Sequence, residues 1–173
     1  MLYGKINIEQ EIFDNLISLK SLDINQNVLN DLPLKSFRNL TNFKTISVSL
    51  NDYVRFYENS NSLPESNNGK LFNLPNKLFA NLKSLKTINL KFNNSMELTN
   101  NTFGHNFGKI QNLSISGYQL ETLPSGIFDK TQNIKVLQIS HNHLTSLPPN
   151  IFENLLKLEV LDLSFNKFQE LGL

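Results

Sequence analysis

The sequence predicts an α/β solenoid: a curved horseshoe with a parallel sheet of short strands on its concave face and irregular or 3-10 segments on its convex side. Three columns of residues carry that prediction, all recurring at a basic step of 24. The first is a strand block, clearest in Ile134-x-x-Leu137-x-Ile139-x-x-Asn142 and Leu158-x-x-Leu161-x-Leu163-x-x-Asn166. The second is aromatic: Phe13, Phe37, Phe79, Phe103, Phe128 and Phe152. The third is Leu-Pro, at 32–33, 74–75, 123–124 and 147–148. Columns that keep one register over a whole chain are the mark of stacked structural repeats.

The strand blocks begin at Leu19, Phe43, Leu85, Ile110, Ile134 and Leu158, with steps of 24, 42, 25, 24 and 24 residues. Within each block the apolar landmarks alternate with polar residues, which is the period of a strand. A short strand cannot bury its apolar side alone, but stacked copies close a continuous core beneath a parallel sheet. The asparagine ends the strand, and its buried amide can satisfy backbone groups in the following turn. The phenylalanines fill the wider convex side, where Leu-Pro opens a segment too short for a full helix. Strands about 4.8 Å apart on one side and bulkier segments on the other bend the stack.

Organisation follows from the same frame. Residues 1–18 read as a partial N-terminal repeat, with Phe13 one step before Phe37. Residues 19–173 hold six repeats of one solenoid domain. The step of 42 places eighteen extra residues within about 52–73: an aromatic start (Tyr53, Phe56, Tyr57) expected to pack on the flank, then a polar run, 58–69, expected to be mobile. Repeat three replaces Leu-Pro by Leu98-Thr99 and gains one residue, bringing in Phe107. Repeat four has Tyr118 at the asparagine position, which predicts a local irregularity. The last repeat stops at Leu173 without a closing segment or cysteine-bearing cap, so self-association through uncapped ends is expected.

Composition sets broad bounds. Net charge is +1, with lysines and acids scattered, which points to neither a nucleic acid nor an anionic membrane. No apolar run approaches the ~20 residues of a membrane-spanning helix. MLYGKINIEQ has no apolar core of the kind a secretory signal needs. Cysteine is absent, compatible with a reducing compartment or with the interior of a longer secreted array. Asparagine is in excess at 27 residues, part of which the strand-end position absorbs. Four Asn-x-Ser/Thr sequons start at Asn39, Asn93, Asn100 and Asn112, no more than chance expects, and Asn39 and Asn100 fall on accessible return segments.

Chemistry-bearing constellations do not assemble. His141 and His143 flank Asn142, and alternation sends them to different surroundings, so a shared metal is not expected. Ser140 beside His141 lacks a carboxylate that would orient the imidazole. FGHNFGK has no strand–turn–helix context for a phosphate loop. The chain therefore reads as having no active site and needing no cofactor.

A binding face can still be read. The outward positions of the strands form columns dominated by serine. Against that background stand Asn89, Lys91, Phe92, Gln138, His141, Asp162 and Phe165, with the rings of Phe92, His141 and Phe165 next to the asparagine column. Exposed rings of this type anchor interfaces.

The blocks resemble the 24-residue typical leucine-rich repeat, L-x-x-L-x-L-x-x-N-x-L-x-x-L-P-x-x-x-F-x-x-L, over about 150 of the 173 residues. That type is similar to the ectodomains of Toll and Toll-like receptors, Slit-like proteins and variable lymphocyte receptors. The resemblance implies a non-catalytic binding module for a protein or microbial ligand, on the concave face of an extracellular or cell-surface parent with a role in recognition or adhesion. Two other settings fit the residues: a cytosolic adaptor, or the substrate-recognition part of a ubiquitin ligase or kinase.

Overall fold

The computed structural model describes residues 5–9, 11–33, 35–50, 55–57, 71–72, 79, 82–92, 97–103, 105–117 and 120–169. Among them the strands are β1 (Lys5–Asn7), β2 (Ser21–Ile24), β3 (Val28–Pro33), β4 (Thr45–Leu50), β5 (Arg55–Tyr57), β6 (Leu71–Phe72), β7 (Thr87–Phe92), β8 (Glu97–Leu98), β9 (Asn112–Ser116), β10 (Val136–Gln138) and β11 (Val160–Asp162). One 3-10 segment spans His105–Lys109.

Strands β2, β4, β7, β9, β10 and β11 lie side by side in chain order as one parallel sheet. The sequence columns set its register. Leu22 faces Ile46, and the row continues through Ile88, Leu113 and Leu137 to Leu161. The step of 42 residues leaves this alignment intact, since Ile46 and Ile88 are direct partners. Every second residue points inward, so Ile46, Ile88, Leu113 and Leu137, and after them Val48, Leu90, Ile115 and Ile139, are buried. Each such side chain contributes roughly 1.5–3 kcal/mol relative to an exposed one.

The flank departs from a purely irregular connection. In the N-terminal half, β1, β3 and β5 form a second parallel sheet, and β6 pairs with β8. The run Val28–Pro33 buries Leu29 and Leu32, which gives it an apolar side to hold against its neighbours. Leu32 pairs with Phe56, and Asp31 with Arg55, so Arg55–Tyr57 stay in the 24-residue frame. On the next turn Phe72 pairs with Leu98. The side chains of Phe56 and Tyr57, together with Tyr53, Leu74-Pro75 and the polar run 58–69, lie outside the described residues. In the C-terminal half this flank pairing thins to single bonds, with the His143 N–H donating to Leu120 O at 2.8 Å and the Lys167 N–H to Leu144 O at 2.9 Å.

Asparagine amides close the turns after the strands. Asn142 Nδ2 donates to Ile139 O at 3.3 Å, Ser140 O at 3.2 Å and, across the repeat boundary, Ile115 O at 3.0 Å. Asn166 repeats the pattern with Leu163 O at 2.9 Å and Ile139 O at 2.8 Å, and its Oδ1 accepts the Leu144 N–H at 3.1 Å. The matching oxygen of Asn142 is buried and has no partner among the described residues. Its place in the frame is next to Tyr118, where an irregularity was expected; Tyr118 itself lies outside the described residues.

A second amide ladder, absent from the sequence reading, runs just before the strands. Asn42 Nδ2 donates to Ile17 O at 3.3 Å, and Asn133 Nδ2 to Gly108 O at 2.7 Å. Both bonds reach back one repeat, to the same place in the frame.

The phenylalanine column is a continuous spine. Phe13 stacks on Phe37 at 5.8 Å, Phe103 on Phe128 at 6.2 Å and Phe128 on Phe152 at 6.2 Å. Phe107, carried by the extra residue of repeat three, sits 5.0 Å from Phe103 and 6.1 Å from Phe79, bridging the two halves of the spine. Gly126 and Asn150 open equivalent turns with φ of 74° and 58°. A Cβ at Gly126 would lie 2.8 Å from Asp129 Oδ2, so glycine suits that turn on two counts.

Candidate functional site

The predicted face residues fall into two groups. Asn89, Gln138 and Asp162 lie in one row across the sheet, with Ser114 between the first two. Asn89 is tied down, its Nδ2 donating to the buried Ser47 Oγ at 2.9 Å. Lys91 is half-buried and pairs in register with Ser116. Phe92 ends β7, and its side chain lies outside the described part. The second group lies just past the ends of β10 and β11, where His141 stacks on Phe165 and has Asp162 nearby. Between the groups, β9 presents the half-buried Asn112, Ser114 and Ser116, and Gly117 after it is buried.

The serine columns are less open than alternation implies. Ser47 and Ser49 are buried, and the Ser49 hydroxyl accepts the Gln26 N–H at 2.9 Å while donating to Asn25 Oδ1 at 3.3 Å. At β4 these hydroxyls are part of the structure and offer little to a ligand.

His141 and Phe165 form the most distinctive feature of the face. Their rings stack with centroids 4.4 Å apart and planes 19° apart, and Phe165 remains 73% exposed. Both residues sit in the left-handed region, with φ of 56° and 54°, and Gln26 matches them in repeat one at 60°. This is the position directly before the strand-end asparagine, where the chain must turn inward. The turn lifts the side chain off the sheet plane, which sequence alternation does not reveal. A side chain with a Cβ pays roughly 1–2 kcal/mol for that conformation.

Electrostatics single out Asp162. Its carboxyl is held below the usual carboxylate range by hydrogen bonds from Ser164, whose backbone N–H donates to Oδ1 at 2.9 Å, with further help from Ser140 and the nearby His141. A fixed anion therefore stands beside the exposed ring pair.

Among the described residues no three His, Cys, Asp or Glu side chains gather as a metal cluster, and no helix is long and apolar enough to cross a membrane. Asn39 and Asn100 are exposed, Asn112 is half-buried within β9, and Asn93 lies outside the described residues. Two polar hollows, of about 300 and 340 Å³, lie away from the sheet face and share Asp129 and Lys130. Neither contains an aromatic ring.

With fold and face in place, the class follows. A repeated parallel strand, an asparagine closing each turn and a phenylalanine spine define the chain as a leucine-rich-repeat protein. Family models agree: "Leucine rich repeat" matches residues 108–168, and "BspA type Leucine rich repeat region (6 copies)" matches residues 4–60. Among solved structures the chain resembles one from the Toll–Spatzle complex of Drosophila, described as a molecular hub in development and innate immunity. Identity there is 25%, the TM-score 0.66, and the match covers 99% of this chain and 22% of the other. It also resembles a chain of the TLR13–ssRNA13 complex at 23% identity and TM-score 0.60, covering 97% and 24% respectively. This chain thus spans less than a quarter of the length of either of these two chains. No curated protein sequence matches it at a significant level.

Proposed function

We propose that the chain is a non-catalytic protein-binding module of an extracellular or cell-surface parent, with its contact on the sheet face between Lys91 and Phe165. The observation that carries this reading is the His141–Phe165 stack, in which Phe165 is left open to solvent and both residues hold a left-handed backbone conformation. Exposed aromatic area in a stable scaffold is what interface anchors are made of. The neighbouring strand β9 presents the half-buried Ser114 and Ser116, and Asp162 supplies a charge to orient a partner. The likeness to a chain of the Toll–Spatzle complex supports a setting in recognition by cell-surface receptors.

Binding partners captured by the parent chain are compared with those of Phe165→Ala and Phe92→Ala, each checked by circular dichroism. Loss of a buried anchor ring weakens binding by roughly 1–3 kcal/mol. Parent-level capture by both variants would move the site elsewhere.

A further inference from the structure

The edge where the strands begin carries a row of like charges. Backbone bonds link the residues one to the next: the Lys44 N–H donates to Lys20 O at 2.8 Å, the Lys86 N–H to Lys44 O at 2.9 Å, and the Gln111 N–H to Lys86 O at 2.9 Å. The row then continues from Gln111 to Lys135 and Glu159, whose N–H groups donate back at 2.7 and 2.8 Å. Three lysines in succession therefore stand on neighbouring strands, about 4.8 Å apart. All three are exposed, as is Lys83, three residues before Lys86 in the chain.

Like charges on adjacent strands oppose folding, and among the described residues no ion pair offsets these. Among the described residues the ion pairs belong to Arg38, with Glu11 and Asp14, and to Lys135, with Glu159 at 2.7 Å. None reaches Lys20, Lys44, Lys83 or Lys86. Lys86 Nζ instead points toward Lys109 O at 3.5 Å. Lys109 is held below the usual lysine range, first by burial and then by the charge of Lys86.

We infer that this row, Lys20–Lys44–Lys86 with Lys83 alongside, is a second docking surface, and that its occupant is a short acidic segment of a polypeptide. The row is short: Gln111 interrupts it, and at its far end Lys135 is already neutralised by Glu159. Three or so neighbouring carboxylates of one segment match that footprint. The row contains lysine and no arginine, so the planar fork suited to phosphate is missing. Among the described residues no exposed ring lines it on which nucleic-acid bases could stack. The backbone carbonyls of the row are already bonded, leaving recognition to the ammonium groups.

The test is fluorescence anisotropy of the full chain with labelled decaglutamate at low ionic strength, beside a heparin decasaccharide and a single-stranded oligothymidylate. Binding of decaglutamate is expected to weaken with added salt. It is also expected to weaken by about tenfold or more in Lys44→Glu/Lys86→Glu. Phe165→Ala, on the other surface, should bind as the parent does, which separates this surface from the ring-pair site. If the charge reversal alters the circular dichroism, Lys44→Gln/Lys86→Gln takes its place. The inference is overturned if decaglutamate fails to bind, if the lysine variants bind it as the parent does, or if only heparin or oligothymidylate is held.

Discussion

The imidazole of His141 lies almost flat on the ring of Phe165, with centroids 4.4 Å apart. The two residues are 24 positions apart and occupy the same place in successive repeats. Each sits in a left-handed turn that lifts its ring clear of the sheet. The pair is a product of stacking: one turn supplies one ring, and the repeat supplies the other.

Stability and binding should come apart at Phe165. Relief of the left-handed conformation by glycine offsets much of what the lost ring stack contributed, so Phe165→Gly is expected to stay within about 1 kcal/mol of the parent in thermal unfolding. Partner capture should fall as it does for Phe165→Ala. A stability loss above about 2 kcal/mol would show that the ring holds the fold together.

Asp162 should titrate below an ordinary aspartate, because Ser164 stabilises its charged form. The folded value lies below the unfolded one, so the associated stabilisation is present above the unfolded value. It is lost as pH falls through the folded value. The carboxylate is close to solvent, so the effect on unfolding is small. The sharper readout is the carboxyl carbon resonance in an NMR titration, which in Ser164→Ala should move up toward the ordinary midpoint. An unchanged midpoint would assign the shift to the backbone N–H alone.

Asn142→Ala is expected to destabilise by about 1–3 kcal/mol, since it leaves the Ile115 carbonyl without its amide partner and Ile139 O with Asn166 alone. Asn133→Ala breaks a part-buried bond to Gly108 O and should cost about 1 kcal/mol. Denaturant midpoints of the two variants give the ranking, and the reverse order would contradict the roles assigned to the two ladders.

Leu161 occupies the inward column in which Leu137 and Leu113 are buried, yet on edge strand β11 it is 40% exposed, beside Val160 at 49%. The 173-residue polypeptide is therefore expected to self-associate at tens of micromolar. Sedimentation velocity showing a single monomeric species would count against that.

The sequence by itself determined the repeat, its register and its core. Leu22, Ile46, Ile88, Leu113, Leu137 and Leu161 align because strand alternation puts them all on the core side, and a slip of one residue would turn any strand's apolar set to the other face. The phenylalanine spine was legible for the same reason, whereas the bridge Phe107 makes between Phe79 and Phe103 was not. What only the tertiary structure decided depends on neighbours in adjacent repeats. The burial of Ser47 and Ser49, the ladder of Asn42 and Asn133 and the stacking of His141 on Phe165 all involve groups about a repeat or more away in the chain. A column of letters shows which residues recur; the direction of a side chain also depends on φ at its own turn and on what the next repeat places beside it.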